Sequence, residues 1–413
     1  QHDPNHQRRI KMTRVIKVSS MAIAVLLAGL LLLVSLNWQK SVQLYHTITL
    51  FDEDKIVSNF SNMGDIIPTV TIEKSGQPHQ FGQTPQALPA TYQYKGEDKS
   101  LQEFLTRSST TALLVLKGND ITFEDYYQGT GEQDQRISWS MAKSFLSALF
   151  GIAIEEGHIK NINELVTDYV PELKGSGYDG VTIKNVLQMS SGVAFNEDYQ
   201  DFNSDINRMG RLLALGGSFD EFAASLVNER EQGTFLHYVS IDTHVIGMVL
   251  RNATGRSVAD YFNEKLWSKL GTEQDTYYIT DSTGEPMVLG GLNMLTRDYA
   301  KFGKLYLDNG RWNDQQIVPL NWVKDSVTPD AAHLMPGKRD SSDMEMGYGY
   351  QWWLPVNADE EFMAVGIYDQ YIYVNKKANV VIVKNSANLD FTKNNYESFQ
   401  ESAQAFRAIA AAL

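Results

Sequence analysis

The stretch Ser140-Met141-Ala142-Lys143-Ser144-Phe145-Leu146-Ser147-Ala148-Leu149-Phe150-Gly151-Ile152-Ala153-Ile154-Glu155-Glu156-Gly157 decides how this chain is read. Apart from Lys143 it is almost wholly apolar or small as far as Ile154, and it ends on a glycine suited to a helix stop. It therefore predicts a buried helix over 140–156. Such a helix has no place for a lysine on its first turn without a reason, because an unpaired ammonium resists burial. Positions i and i+3 share a helix face, so the Lys143 amine can reach the Ser140 hydroxyl. Desolvation lowers the lysine pKa and leaves neutral amine to take the serine proton. The helix N-terminus favours the negative charge that then develops. Ser140 is the only serine in the chain followed by a lysine three residues on. Taken alone, the motif also fits Ser140 as a helix cap with Lys143 reaching out to water.

Two further stretches point the same way. In Gly233-Thr234-Phe235-Leu236-His237-Tyr238-Val239-Ser240, a Tyr-x-Ser precedes an amphipathic helix that ends near Gly255. The phenol and the hydroxyl fall on one side of an extended segment. A phenol near a lysine can shuttle a proton between nucleophile and leaving group; the plainer alternative is a packed tyrosine with its hydroxyl satisfied. In Val365-Gly366-Ile367-Tyr368-Asp369-Gln370, a glycine inside a strand pattern marks close approach of backbone or ligand, or a simple bulge. A backbone N–H offered there, opposite that of Ser140, would complete an oxyanion hole.

Around these motifs the periodicity sorts by position. Residues 111–116 and 121–127 read as strands flanking a Lys117-Gly118-Asn119-Asp120 turn, and 362–366, 371–374 and 380–383 read as three more. A C-terminal helix follows from about Tyr396, with Phe399, Ala403, Phe406 and Ile409 on one face. Between them, helices are expected at 182–189, 220–227, 241–252, 257–269 and 297–308. The fold class is α+β: an antiparallel sheet built from both chain ends, with a large helical insertion.

The 413 residues contain no cysteine, which excludes disulfides, thiol nucleophiles and cysteine-ligated zinc. The net charge of −14 is uneven, because residues 1–40 hold six Lys/Arg and one acid, leaving 30 basic and 49 acidic residues for the rest. So acidic a body repels phosphate backbones, and no nucleic-acid partner is expected. Residues 18–39 carry no charge and are long enough to cross a bilayer. They follow a basic tail, 1–17, that favours the cytoplasmic side. We read 18–39 as an uncleaved transmembrane signal anchor in the inner (cytoplasmic) membrane, 40–95 as a stalk and wrap, and 96–413 as a periplasmic, extracytoplasmic catalytic domain. The rival for 18–39 is a cleaved signal peptide, although no small-x-small site follows it cleanly.

Taken together, the motifs resemble the penicillin-recognising serine hydrolases, in their class C β-lactamase-like branch, over about residues 95–412. The order Ser-x-x-Lys, Tyr-x-Ser, late glycine strand is shared. So are Thr182-Ile183-Lys184-Asn185-Val186-Leu187-Gln188-Met189-Ser190-Ser191-Gly192 and the aromatic Gly347-Tyr348-Gly349-Tyr350-Gln351-Trp352-Trp353. Tyr-x-Ser in place of Tyr-x-Asn, and Gly-Ile-Tyr-Asp-Gln in place of Lys-Thr-Gly, make 6-aminohexanoate-dimer hydrolases the nearest likeness. The resemblance implies a β-lactamase/transpeptidase-like fold. It implies Ser140 as nucleophile, Lys143 as its activator, Tyr238 as general acid/base, and the Ser140 and Ile367 amides as oxyanion hole. Substrate contacts would come from Tyr199, Ser240, Gly366 and Tyr368.

The expected activity is a serine amidase or esterase working on a small-molecule amide or ester through an acyl-enzyme, without cofactor or metal. The alternative is a membrane-tethered penicillin-binding-type sensor or scaffold with little turnover, mildly favoured by the missing Lys-Thr-Gly. A metal hydrolase built on His237, Asp242 and His244 fits no helical ligand spacing. No Gly-x-Ser-x-Gly elbow occurs in the chain.

Overall fold

Five stretches rich in valine, isoleucine, leucine and tyrosine lie at opposite ends of the sequence, and they pair with one another. In the computed structural model, which describes residues 4–36 and 38–413, β1 (Thr110–Lys117) turns through Gly118 into β2 (Asp120–Tyr126). Gly118 takes φ +62°, a value natural to glycine in such a turn. β3 (Glu361–Gly366), β4 (Gln370–Asn375) and β5 (Val380–Ser386) form an antiparallel meander, and β5 pairs antiparallel with β1. The sheet is thus stitched from both chain ends in the order β3-β4-β5-β1-β2. Gly347–Tyr348 and Trp353–Leu354 extend it beyond β3, and Gly82–Gln83 adds a short parallel edge beyond β2.

Strand alternation explains how both faces are covered. Tyr371 and Tyr373 of β4 point to one side, where they meet Phe406 at 5.3 and 5.5 Å between ring centres. Phe406 belongs to the C-terminal helix Lys393–Ala411. Ile372, between the two tyrosines, points to the other side and meets the helix Thr296–Leu307. That helix approaches closely at Gly303, where a Cβ would stand 2.5 Å from a methyl of Val381 and 2.8 Å from one of Ile372.

The insertion between β2 and β3 is helical as expected. Its principal members are α1 (Ala142–Glu155), α2 (Ser240–Thr254) and α3 (Thr296–Leu307). Helices Asp205–Leu215 and Leu320–Ser326 were not expected. Neither was a second, four-stranded antiparallel sheet of Thr69–Ile72, Thr276–Ile279, Leu292–Met294 and Arg136–Ile137. Its last strand is two residues long, too short for any alternation to register, yet it delivers the chain to Ser140.

Two compact units divide the chain, Gln1–Leu50 and Phe51–Leu413. The first holds helices Pro4–Leu36 and Trp38–Ile48. Within it, Ile16–Leu36 is long and apolar enough to cross a membrane, a property a signal sequence shares. Gln1–Asp3 of the expected basic tail and Asn37 of the expected span lie outside the described residues. From Phe51 on, the stretch expected as stalk and wrap packs within the second unit, with Ile56, Phe60, Met63, Ile66 and Ile67 buried.

Replacing Gly303 with alanine should overpack the contact between α3 and the sheet and destabilise the fold by about 1–3 kcal/mol. Urea denaturation will read this as a lower midpoint; an unchanged midpoint would mean that α3 can step back at no cost.

Candidate active site

Ser140 sits on a single 3-10 turn, Trp139–Met141, that runs directly into α1. The short sheet fixes this turn from behind. Arg136–Ile137 pairs with Leu292–Met294, and the Ser138 amide donates to the Leu292 carbonyl at 2.7 Å. The strap Leu289-Gly290-Gly291 leads into that partner strand and passes beneath the start of α1. There the Leu289 carbonyl accepts a hydrogen bond from Lys143 Nζ at 2.8 Å.

Lys143 is 1% exposed. Burial pulls its ammonium down to about 7, against the opposing influence of the Glu197 and Asp242 carboxylates. Its nitrogen lies over the ring of Tyr238, 5.5 Å from the centroid. Burial, and after it the nearby Glu197 carboxylate, push the Tyr238 phenol well above its ordinary value, with Ser140 opposing them. The ring is clamped by Trp353, stacked at 5.3 Å, and by Tyr348, edge-on at 6.2 Å. Both come from the aromatic segment singled out in the sequence. Gln351 in the same segment ties the surrounding helices. Its carbonyl accepts from Ser144 of α1, its side-chain oxygen accepts from Thr243 of α2 at 2.7 Å, and its amide donates to the Leu187 carbonyl.

Gly366 ends β3 against the Ser140 turn. A Cβ there would stand 2.5 Å from the Ser138 carbonyl oxygen and 3.2 Å from the Ser140 nitrogen, so the close approach of backbones requires glycine. Ile367 follows at the rim of a cavity of about 400 Å³. Ser140, Tyr199, Tyr238, Gly366 and Ile367 all line this cavity.

Three of the expected site residues lie elsewhere. Lys143 is behind the cavity wall. Ser240 is 1% exposed, and its hydroxyl donates to Glu197 at 2.6 Å rather than opening towards the cavity. Tyr368 turns away into a ring cluster with Phe51, Phe60, Trp139 and Phe391, its backbone at φ +60°.

Glu197 was not singled out in the sequence. Its carboxylate accepts from the Ser240 amide at 3.0 Å, the Ser240 hydroxyl and the Tyr199 phenol at 2.8 Å, capping the N-terminus of α2. Burial raises its pKa, and Lys143 opposes that rise. An acid two residues before Tyr199 was the available signal. His237 was also left without a catalytic role. Its ring contacts the Asp343 carboxylate at 2.6 Å and the Phe195 carbonyl at 2.8 Å. Both partners only accept, so they favour the doubly protonated ring, and its pKa is raised. The other members of the rejected metal trio have separate partners: Asp242 accepts from Tyr178 and Ser191, and His244 contacts Asp220.

A family profile described as beta-lactamase matches residues 98–397. The 6-aminohexanoate-dimer hydrolase of Paenarthrobacter ureafaciens is 29% identical over 336 residues, covering 79% of this chain and 84% of that one. A beta-lactamase of Providencia stuartii is 23% identical over 154 residues, 37% of this chain and 36% of that one. Among solved structures, a Bacillus anthracis protein described as a 6-aminohexanoate-dimer hydrolase superposes with a TM-score of 0.78 at 25% identity, covering 88% of this chain and 95% of that one.

If the neutral Lys143 amine activates Ser140, covalent labelling of Ser140 by a fluorophosphonate should fall about tenfold per pH unit below about 7, where the amine is protonated, and level off above it. Lys143→Arg should not rescue, because a guanidinium stays charged throughout this range. A flat rate across pH 6–8, or labelling retained in Lys143→Arg, would remove the amine from the role.

Proposed function

The chain belongs to the beta-lactamase family, and on that premise we propose that it is a serine hydrolase cleaving a small amide or ester through an acyl-enzyme on Ser140. The observation that carries this reading is one conjunction: a half-buried serine and a phenol that line the same cavity, with a desolvated lysine behind its wall, over the phenol ring.

In the proposed cycle Ser140 Oγ attacks the substrate carbonyl carbon, and its proton passes to the Tyr238–Lys143 pair. The phenol is held protonated, so the vacant proton site of the pair is the neutral amine. The backbone amides of Ser140 and Ile367 receive the oxyanion. The carbon–heteroatom bond then breaks, Tyr238 delivers a proton to the departing amine or alcohol, and the acyl group stays on Ser140. Water attacks the ester, its proton follows the same route, and the acid product leaves with Ser140 restored.

Charge narrows the substrate. The described residues lining the cavity include Glu197, Asp198 and Asp343 but no lysine or arginine. Three carboxylates outweigh the one imidazole of the lining, His237, which is already paired with Asp343, and this favours neutral or cationic amides and esters over β-lactams. Tyr199 and Gly366 form part of the wall facing such a substrate, whereas Ser240 serves it indirectly by holding Glu197. We further propose that the N-terminal helix anchors the protein in the cytoplasmic membrane with the hydrolase outside it. The basic residues before the apolar run support that orientation.

Two measurements test the reading. Wild type should be labelled at Ser140 by a fluorophosphonate and should turn over p-nitrophenyl esters at least tenfold more efficiently than nitrocefin, while Ser140→Ala should do neither. An unlabelled, inactive wild type would refute the serine mechanism. Stoichiometric labelling by substrate without release of product would instead identify a sensor that acylates and stops.

A further inference from the structure

The residue before the nucleophile is held in a conformation that large side chains avoid. Trp139 has φ +42°. Such a backbone persists only where its neighbours over-determine it. One residue beyond Ile367, at the other edge of the proposed oxyanion hole, Tyr368 is in the same region at φ +60°. The two rings meet at 5.7 Å. Each also packs on Phe60, at 5.5 and 5.1 Å, and on Phe51, at 6.0 and 5.3 Å, the last nearly parallel at 14°.

Main-chain bonds fasten the same segment to the same turn. The Ile137 amide donates to the Phe60 carbonyl at 3.0 Å. Arg136 Nη1 donates to the Val57 carbonyl at 3.0 Å and to the Ser61 hydroxyl. Arg136 is buried, and its Nε and Nη2 have no hydrogen-bond partner, so these contacts are what its guanidinium has in exchange for water.

We propose that residues 51–61 are a brace for the nucleophile turn, and that Phe51 is a positioning residue that sets the spacing of the Ser140 and Ile367 amides through Trp139 and Tyr368. The proposal rests on Ser140 being the nucleophile. The brace is the first stretch of the second unit, so the opening residues of the hydrolase body are part of its catalytic geometry and not a passive spacer. Phe60 is 1% exposed, and truncating it endangers the fold; Phe51 is 41% exposed and offers a gentler handle.

The test uses the full chain in detergent with Phe51→Ala and Phe51→Tyr. Loss of the outer ring should lower kcat for a p-nitrophenyl ester about three- to tenfold with KM unchanged, and slow fluorophosphonate labelling by the same factor. Amide hydrogen exchange should quicken in peptides covering 136–143 and 366–370, with the thermal midpoint retained. Phe51→Tyr keeps the ring and should restore all three readouts. Unchanged kcat and exchange in Phe51→Ala would overturn the brace, as would a loss that Phe51→Tyr does not restore or one shared by kcat, KM and the thermal midpoint alike. If wild type neither turns over nor labels while the exchange changes still appear and revert, the brace stands and the nucleophile assignment falls.

Discussion

A lysine amine that the interior will not accept as a cation is the constraint on which this structure turns. Lys143 is sealed on the first turn of α1, with the Leu289 carbonyl as acceptor and with Glu197 and Asp242 acting on it through space. In water the amine would be protonated and inert as a base. Removed from water it is poised near neutrality, and the surrounding architecture keeps it so. The strap that supplies Leu289 is placed by the small sheet. The aromatic wall of Tyr238, Trp353 and Tyr348 closes the other side.

The same sheet solves a second problem, that of bringing two backbone segments together without a side chain between them. Ser138, Ser140 and Gly366 approach to distances at which a single Cβ would collide. A turn packed this closely against the end of β3 cannot have bulk on that strand. The glycine in β3 is therefore a geometric consequence of where the Ser140 turn sits, and the two left-handed residues, Trp139 and Tyr368, are how the chain enters and leaves that crowded point.

What could be read in the sequence follows from these demands. The apolar helix interrupted by one lysine, the five short strand runs and the strand glycine each violate or obey a local rule strongly enough to be seen without coordinates. Other parts left no such mark. Arg136–Ile137 is too short for periodicity, and its role depends on Leu292–Met294, more than 150 residues away. Tyr368 follows Gly366 and Ile367 and was read as another cavity residue, but a tight turn with two left-handed residues, Tyr368 and Asp369, swings its ring into the core. Ser240 was read as facing substrate because it is two residues from Tyr238 in an extended segment. The helix starts at Ser240, and there its hydroxyl and amide both find Glu197.

Glu197 shows why the poise of the site is a balance and not a single effect. Burial alone would drive the Lys143 amine further down and the Glu197 carboxyl up. Each limits the other: the carboxylate sustains some positive character on the amine, and the amine sustains the carboxylate. The N-terminus of α2 takes up part of the negative charge through the Ser240 amide, which opposes the rise that burial imposes on the carboxyl. A direct ion pair would have favoured the protonated form of Lys143 further. A carboxylate capped by a helix and kept out of hydrogen-bonding contact with the amine tunes that proton's affinity without holding it.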